Sequence, residues 1–163
     1  MKLEENNIIV KRPYKTVYKC GNSVFKVFVE AHPKSDVFNE ALLTARIEET
    51  GLDIPKVKGV TQLDGKWAIE IEYKEGKTLE DMMQSDRGNI DKYMSDFVDL
   101  QIRVHNQRSP LLNGMKDKLT RQINNLKILD ATTRYELLMR LERMPKHNKV
   151  CHGDFNTSNV IFG

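Results

Sequence analysis

The residues best suited to chemistry lie in a polar loop, residues 152–159, which begins with the tripeptide His-Gly-Asp and ends with Asn159. Asp154 can accept a proton from a hydroxyl nucleophile that comes within hydrogen-bond reach. Asn159 presents a neutral amide oxygen, a ligand suited to Mg²⁺, which binds proteins through few oxygens alongside substrate phosphates. A base close to a magnesium ligand indicates phosphoryl transfer. On its own, a His-Gly-Asp tripeptide favours instead an ordinary turn with a capping aspartate.

Short apolar runs on either side of this loop predict that it joins two strand ends. The runs are Val150–Cys151 and Val160–Phe162, and Gly153 allows the backbone between them to turn sharply. On a strand, Cys151 and His152 would point in opposite directions. A catalytic Cys–His pair is therefore not expected.

The loop carries a resemblance to a known family. The pattern H-G-D-x-x-x-x-N is formed by His152, Gly153, Asp154 and Asn159. It resembles the catalytic loop of the aminoglycoside phosphotransferase and choline kinase family, whose members share the protein kinase fold. The resemblance implies that Asp154 is the catalytic base, that Asn159 binds Mg²⁺, that ATP or GTP is the phosphate donor and that a small-molecule hydroxyl is the acceptor. Gly153 and Asn156 replace an arginine and a lysine of protein kinases, and this favours a small acceptor over a protein.

Lys26 and Glu40 are the next candidates for a functional site. The run 23–29 alternates as a strand that places Lys26 between Val24 and Phe28 on one face, where a lysine is costly unless an anion or carboxylate pairs with it. A helix is predicted over 36–50, with Ser35 as its N-cap, and Glu40 lies on its partly buried side. We therefore predict an ion pair between Lys26 and Glu40.

In the family that the chain resembles, the strand lysine contacts the nucleotide phosphates and the helix glutamate positions it. The alternative is that Lys26 is an edge-strand lysine extending to water, as we expect of Lys11, Lys15 and Lys19. Kinases also cover the phosphates with a glycine-rich turn, whereas this chain has Arg-Pro-Tyr-Lys at 12–15. Arg12 or Lys15 could supply charge in place of bare backbone.

A third candidate segment lies at the end of the alternating strand 66–73. Glu72, Tyr73 and Lys74 resemble the hinge between the two kinase lobes, whose backbone groups bind adenine. The alternative is a plain connection between a strand and the helix that begins at the Thr78–Asp81 capping box. We place the domain boundary here, with a nucleotide-binding lobe at 1–74 and a helical lobe at 75–163.

The order of elements predicts an α+β, kinase-like fold. Strands at 8–10, 16–20 and 23–29 form a meander, and one helix follows. The apolar runs 54–57 and 60–63 and the strand 66–73 come next, and the second lobe is mainly helical. The resemblance implies a second magnesium-binding aspartate on a strand beyond Gly163, so we expect the second lobe to be incomplete. We expect such a form to bind Mg-nucleotide weakly, to turn over little, and to self-associate through the apolar edge at 160–162.

Composition and charge argue against several classes of protein. Of the 163 residues, 39% are hydrophobic and 30% charged, which is typical of a folded globular domain. The net charge of +3 arises from interleaved lysines and acids, so nucleic acid is not an expected partner. Neither a signal peptide nor a membrane span is evident, and Cys20 and Cys151 make no disulfide framework, so we predict a cytoplasmic protein.

Two other functions are alternatives to the phosphotransferase. A non-catalytic, pseudokinase-like module that binds a nucleotide or a partner would use the same fold, and the absence of a second metal-binding carboxylate before Gly163 favours it. A metal-dependent phosphohydrolase would require clusters of histidine and aspartate that the sequence does not contain.

Overall fold

The structure, a computed structural model, describes residues 3–163. Met1 and Lys2 of the predicted first domain lie outside the described residues. The N-terminal part is an antiparallel sheet with strand order β1-β2-β3-β5-β4 and one long helix. Its elements are β1 (Ile8–Arg12), β2 (Lys15–Cys20), β3 (Ser23–Phe28), α1 (Lys34–Glu48), β4 (Val57–Leu63) and β5 (Lys66–Glu72). The predicted α+β class and the order of these elements are confirmed.

The central strands bury both faces, as the alternating pattern predicts. On the α1 side, Phe28 and Ile69 are each 1% exposed and pack with Val37 and Ala41 of the helix. The other face holds a second cluster of Phe25, Val27 and Ala68. Full burial of a side chain such as Phe28 contributes about 2–3 kcal/mol, so helix α1 is held on the sheet mainly by apolar contact.

Helix α1 begins earlier than predicted. The prediction of Ser35 as N-cap is wrong, because the helix starts at Lys34 with Pro33 in the capping position, at φ −60° and ψ 130°. Proline is compatible with the start of a helix, where its missing N–H is not needed. Ser35 lies inside the first turn, and its hydroxyl donates to the Asp36 carboxylate at 3.5 Å.

The C-terminal part is mostly helical. Its elements are β6 (Lys77–Thr78), α2 (Leu79–Ser85), α3 (Ile90–His105), α4 (Met115–Asn125), α5 (Ala131–Arg143) and β7 (Ile161–Phe162). The predicted cap at Thr78 is confirmed, since its hydroxyl accepts the Asp81 backbone N–H at 3.1 Å. No helix of residues 3–163 is both long and apolar enough to cross a lipid bilayer.

A two-stranded ladder connects the segment after the predicted hinge to the residues that follow the polar loop. Lys77 pairs with Phe162 and Thr78 with Ile161, while the Leu79 N–H donates to the Val160 carbonyl at 2.8 Å. One edge of β7 is therefore paired, and self-association through this strand stays a prediction.

The expectation of a strand at Val150–Cys151 is wrong. Val150 is buried at 6% exposure, but neither residue is assigned to a strand. An apolar pair can bury a side chain without a partner strand, and apolarity alone does not separate the two situations.

We predict that Gly76→Ala lowers the free energy of unfolding by about 2 kcal/mol. Gly76 has a φ of 143°, and a Cβ there would overlap with the backbone carbonyl of Phe162. Gly88→Ala is the matched control, because its Cβ would meet only the Asp86 carboxylate at 3.8 Å. Urea unfolding followed by circular dichroism measures both, and equal midpoints for the two variants would contradict the prediction.

Candidate functional site

The predicted contact between Lys26 and Glu40 is present. The Lys26 Nζ atom donates to Glu40 Oε1 at 2.9 Å, and the two side chains are 27% and 35% exposed. Burial of Val37 and Ala41 seats helix α1 on the sheet and thereby carries Glu40 to the face of β3 that bears Lys26. A partly buried ion pair stabilises a fold only when its geometry is good. The distance between Lys26 Nζ and Glu40 Oε1 is that of a direct, charge-assisted hydrogen bond.

The side chain of Lys15 lies in a different environment from the one that the sequence predicts. We expected its side chain to extend to water, but it is 19% exposed and its Nζ atom lies 3.8 Å from the same Glu40 Oε1. The strand register explains this. Lys15 pairs with Phe28 and Val17 with Lys26, which places both lysines on the face covered by α1.

Burial and the contacts among Glu40, Lys26 and Lys15 shift the pKa values of Glu40 and Lys15. Burial acts to raise the pKa of Glu40, but the charge and hydrogen bond of Lys26, aided by the charge of Lys15, outweigh it and hold that pKa below its ordinary value. Burial is also the largest influence on Lys15, whose pKa is lowered. The charges of Lys26 and Arg12 add to that lowering, while Glu40 opposes it. The site is therefore a positively charged cluster around one ionised carboxylate.

In the polar loop, Asp154 is held by two asparagine side chains. Its Oδ1 accepts from the Asn156 amide at 2.9 Å and its Oδ2 from the Asn159 amide at 3.0 Å. The Asn159 amide nitrogen also donates to the Asp154 backbone carbonyl at 2.9 Å. Because the nitrogen of this amide faces Asp154, its oxygen is directed away from the carboxylate. Oxygen is the atom with which an amide binds Mg²⁺.

Aromatic side chains support the loop on helix α3. The ring of Phe155 stacks on Phe97 with centroids 4.6 Å apart, and the His152 ring meets Phe155 edge-on at 6.0 Å. The His152 Nδ1 atom accepts the Asp154 backbone N–H at 3.3 Å. Gly153, at φ 85°, provides the sharp turn that the sequence predicts.

In the predicted hinge, the polar groups are already engaged within the chain. Lys74 Nζ lies 2.9 Å from Asp53 Oδ1 and 3.3 Å from Glu72 Oε2. The backbone N–H of Lys56, together with Lys74, holds the pKa of Glu72 below its ordinary value.

Tyr73 is engaged in the same way. Its backbone N–H donates to the Asn22 carbonyl at 3.2 Å, and the Lys19 Nζ atom lies 3.8 Å from its ring centroid. An adenine contact would therefore depend on the remaining backbone groups of the hinge, since the Glu72 and Lys74 side chains pair with each other.

The structure forms two polar groups on separate elements. One is the cluster of Lys15, Lys26 and Glu40, and the other is loop 152–159. Within residues 3–163, no hydrogen bond or ion pair joins them directly. In the same part of the chain, no three histidine, cysteine, aspartate or glutamate side chains converge as a metal site. The role of Asn159 as a Mg²⁺ ligand stays a prediction.

Comparison of the chain with protein-family models and with curated proteins finds no match. The resemblance to the aminoglycoside phosphotransferase and choline kinase family therefore rests on the loop residues and on the pair formed by Lys26 and Glu40.

We predict that Glu40→Gln lowers the free energy of unfolding by about 1 kcal/mol at neutral pH, a value reduced for solvent screening. Because folding lowers the pKa of Glu40, its contribution is present above the unfolded pKa, near 4.5, and is lost as the pH falls through the folded value. The difference between wild type and variant should therefore shrink on acidification.

Unfolding by urea at a series of pH values from 7 to 3 measures this difference. Glu30→Gln is the control, since Glu30 is an exposed residue of the loop before α1. A Glu40→Gln difference that stays constant with pH would contradict the assignment.

Proposed function

We propose that this chain is a kinase-like phosphotransferase that moves the γ-phosphate of ATP or GTP to the hydroxyl of a small molecule. The observation that carries the proposal is the 2.9 Å ion pair between Lys26 of β3 and Glu40 of α1. A strand lysine held by a helix glutamate is the device with which kinases place an ammonium group against nucleotide phosphates. The proposal thus includes the finer fold assignment, kinase-like, within the α+β class.

Lys26 binds phosphate in this account, and Glu40 restrains the lysine side chain. An unrestrained lysine loses up to about 2 kcal/mol of rotamer entropy when it is ordered. The hydrogen bond to Glu40 removes part of that cost before the ligand arrives. The two other protons of the ammonium group remain to donate to phosphate oxygens.

Asp154 is the proposed base. Each of its carboxylate oxygens accepts one amide hydrogen bond, and a carboxylate oxygen can accept a second. The acceptor hydroxyl would donate to this remaining position and transfer its proton to Asp154 as the oxygen attacks the γ-phosphorus. The bond from the γ-phosphorus to the β,γ-bridging oxygen would break in the same step, with ADP or GDP as the leaving group. The two amide bonds keep the carboxylate in one orientation for that transfer.

Asn159 would hold the Mg²⁺ that accompanies the nucleotide through its amide oxygen. When bound, the metal neutralises charge that develops on the phosphates. Asn159 also donates to Asp154, so one side chain couples the position of the base to the position of the cation.

The second candidate is a non-catalytic nucleotide- or partner-binding module. The amide bonds to both oxygens of Asp154 favour it, because part of the accepting capacity of each oxygen is already used within the chain. Single-turnover assays separate the two candidates. The protein is mixed in excess with γ-labelled ATP or GTP, Mg²⁺ and small hydroxyl acceptors such as aminoglycosides, choline, homoserine and sugars. Nucleotide binding without transfer to any acceptor favours the module.

We predict that Asp154→Asn lowers the single-turnover rate of phosphoryl transfer by about 10²-fold or more, because the acceptor proton has no base to receive it. Nucleotide affinity should change little. Asp99→Asn is the control, since Asp99 is an exposed carboxylate of helix α3. Wild-type transfer by the Asp154→Asn variant would overturn the assignment of the base.

A further inference from the structure

The positive charge around Glu40 exceeds what this carboxylate neutralises. Lys15 and Lys26 both reach the same oxygen, Glu40 Oε1, at 3.8 and 2.9 Å. Arg12 pairs with Lys15 across β1 and β2, and its charge also acts on Lys15. Within residues 3–163, the ion pairs of both lysines are with Glu40, so two ammonium groups share one negative charge.

Lys15 is more enclosed than an ordinary surface lysine. Its side chain is 19% exposed, whereas Lys11 on the adjacent strand is exposed. The Nζ atom of Lys15 lies 5.4 Å from the ring centroid of Tyr14 and 5.8 Å from that of Phe28. An ammonium group in such surroundings is stabilised when an anion supplies the missing charge.

Lys15 is also the last residue of the turn 12–15, which contains no glycine. Its backbone begins strand β2, and its side chain lies on the face that carries Lys26. A phosphate beside the Lys26 ammonium group would therefore have a second ammonium group next to it, provided by a side chain of the turn rather than by bare backbone.

We propose that Lys15 is a second phosphate-binding residue, which acts with Lys26 to bind the polyphosphate of the nucleotide. This inference rests on the proposed function and adds a specificity determinant to it. The pair of lysines selects for a ligand with several negative charges. The Mg²⁺ complex of a triphosphate provides them, and an uncharged nucleoside does not.

The test is isothermal titration of the full chain with MgATP, MgGTP, adenosine and inorganic tripolyphosphate. The variants are Lys15→Met, Lys15→Arg and the control Lys11→Met, which lies on the opposite face of the neighbouring strand. We expect Lys15→Met to weaken MgATP or MgGTP about tenfold or more, the effect of losing one charge-assisted hydrogen bond. Adenosine affinity should stay unchanged, and Lys15→Arg should restore much of the lost affinity. Thermal melting shows whether each variant folds. If Lys15→Met fails to fold, the affinities of Lys15→Arg for the triphosphates and for adenosine are compared with those of the wild-type chain instead.

Equal loss of adenosine and MgATP affinity would overturn the inference, because it indicates a structural role for Lys15. Wild-type MgATP and MgGTP affinity in Lys15→Met would also overturn it. If the wild-type chain binds tripolyphosphate through Lys15 but no nucleotide, the anion site stands and the proposed function fails. If nucleotide binds and Lys15→Met has no effect, the proposed function stands and this inference fails.

Discussion

A single carboxylate between helix and sheet constrains the N-terminal half of this molecule. Glu40 is ionised, partly buried and shared by Lys26 and Lys15. Apolar contact among Phe28, Val37 and Ile69 presses α1 onto the sheet and brings the charged groups within reach. Apolar burial has no directional preference, whereas the ion pairs of Glu40 favour one orientation of α1 on the sheet. Stability and the placement of the lysines thus depend on the same packing.

A second constraint governs the C-terminal half. The ladder between β6 and β7 joins the segment after the predicted hinge to the end of loop 152–159. The close approach of Gly76 to Phe162 leaves no room for a side chain. In the proposed account, a movement of the hinge would therefore also move Asn159, which precedes Val160 by one position. The aromatic stack of Phe97 and Phe155 holds the other side of the loop.

Much of this arrangement follows from patterns in the sequence. Period-two alternation placed Lys26 on the face that α1 covers, and helical spacing placed Glu40 on the partly buried side of α1. The offset between Asp154 and Asn159 predicts that they act together. Their side chains are in contact through an amide–carboxylate hydrogen bond, and their joint role in chemistry stays a prediction.

The errors arise where one residue type is compatible with several environments. Lys15 and Lys19 lie on the same face of β2, but only Lys15 is opposite Phe28, the residue on which α1 packs, and only Lys15 is enclosed. Ser35 has the chemistry of a cap, yet the preceding proline begins the helix. Val150 is buried without strand pairing. In each case the residue type alone was compatible with several environments, and the surrounding structure selected one.

The most direct test of the account compares the affinities of MgATP, MgGTP and adenosine for the wild-type chain and for Lys26→Met, measured by titration calorimetry. Lys66→Met is the matched control, because Lys66 is an exposed lysine at the start of β5. We expect the Lys26→Met variant to lose about tenfold or more in affinity for the triphosphate and none for adenosine. The Lys66→Met variant should bind all ligands as the wild-type chain does. Unchanged triphosphate affinity in Lys26→Met, or no nucleotide binding by the wild-type chain, would contradict this expectation.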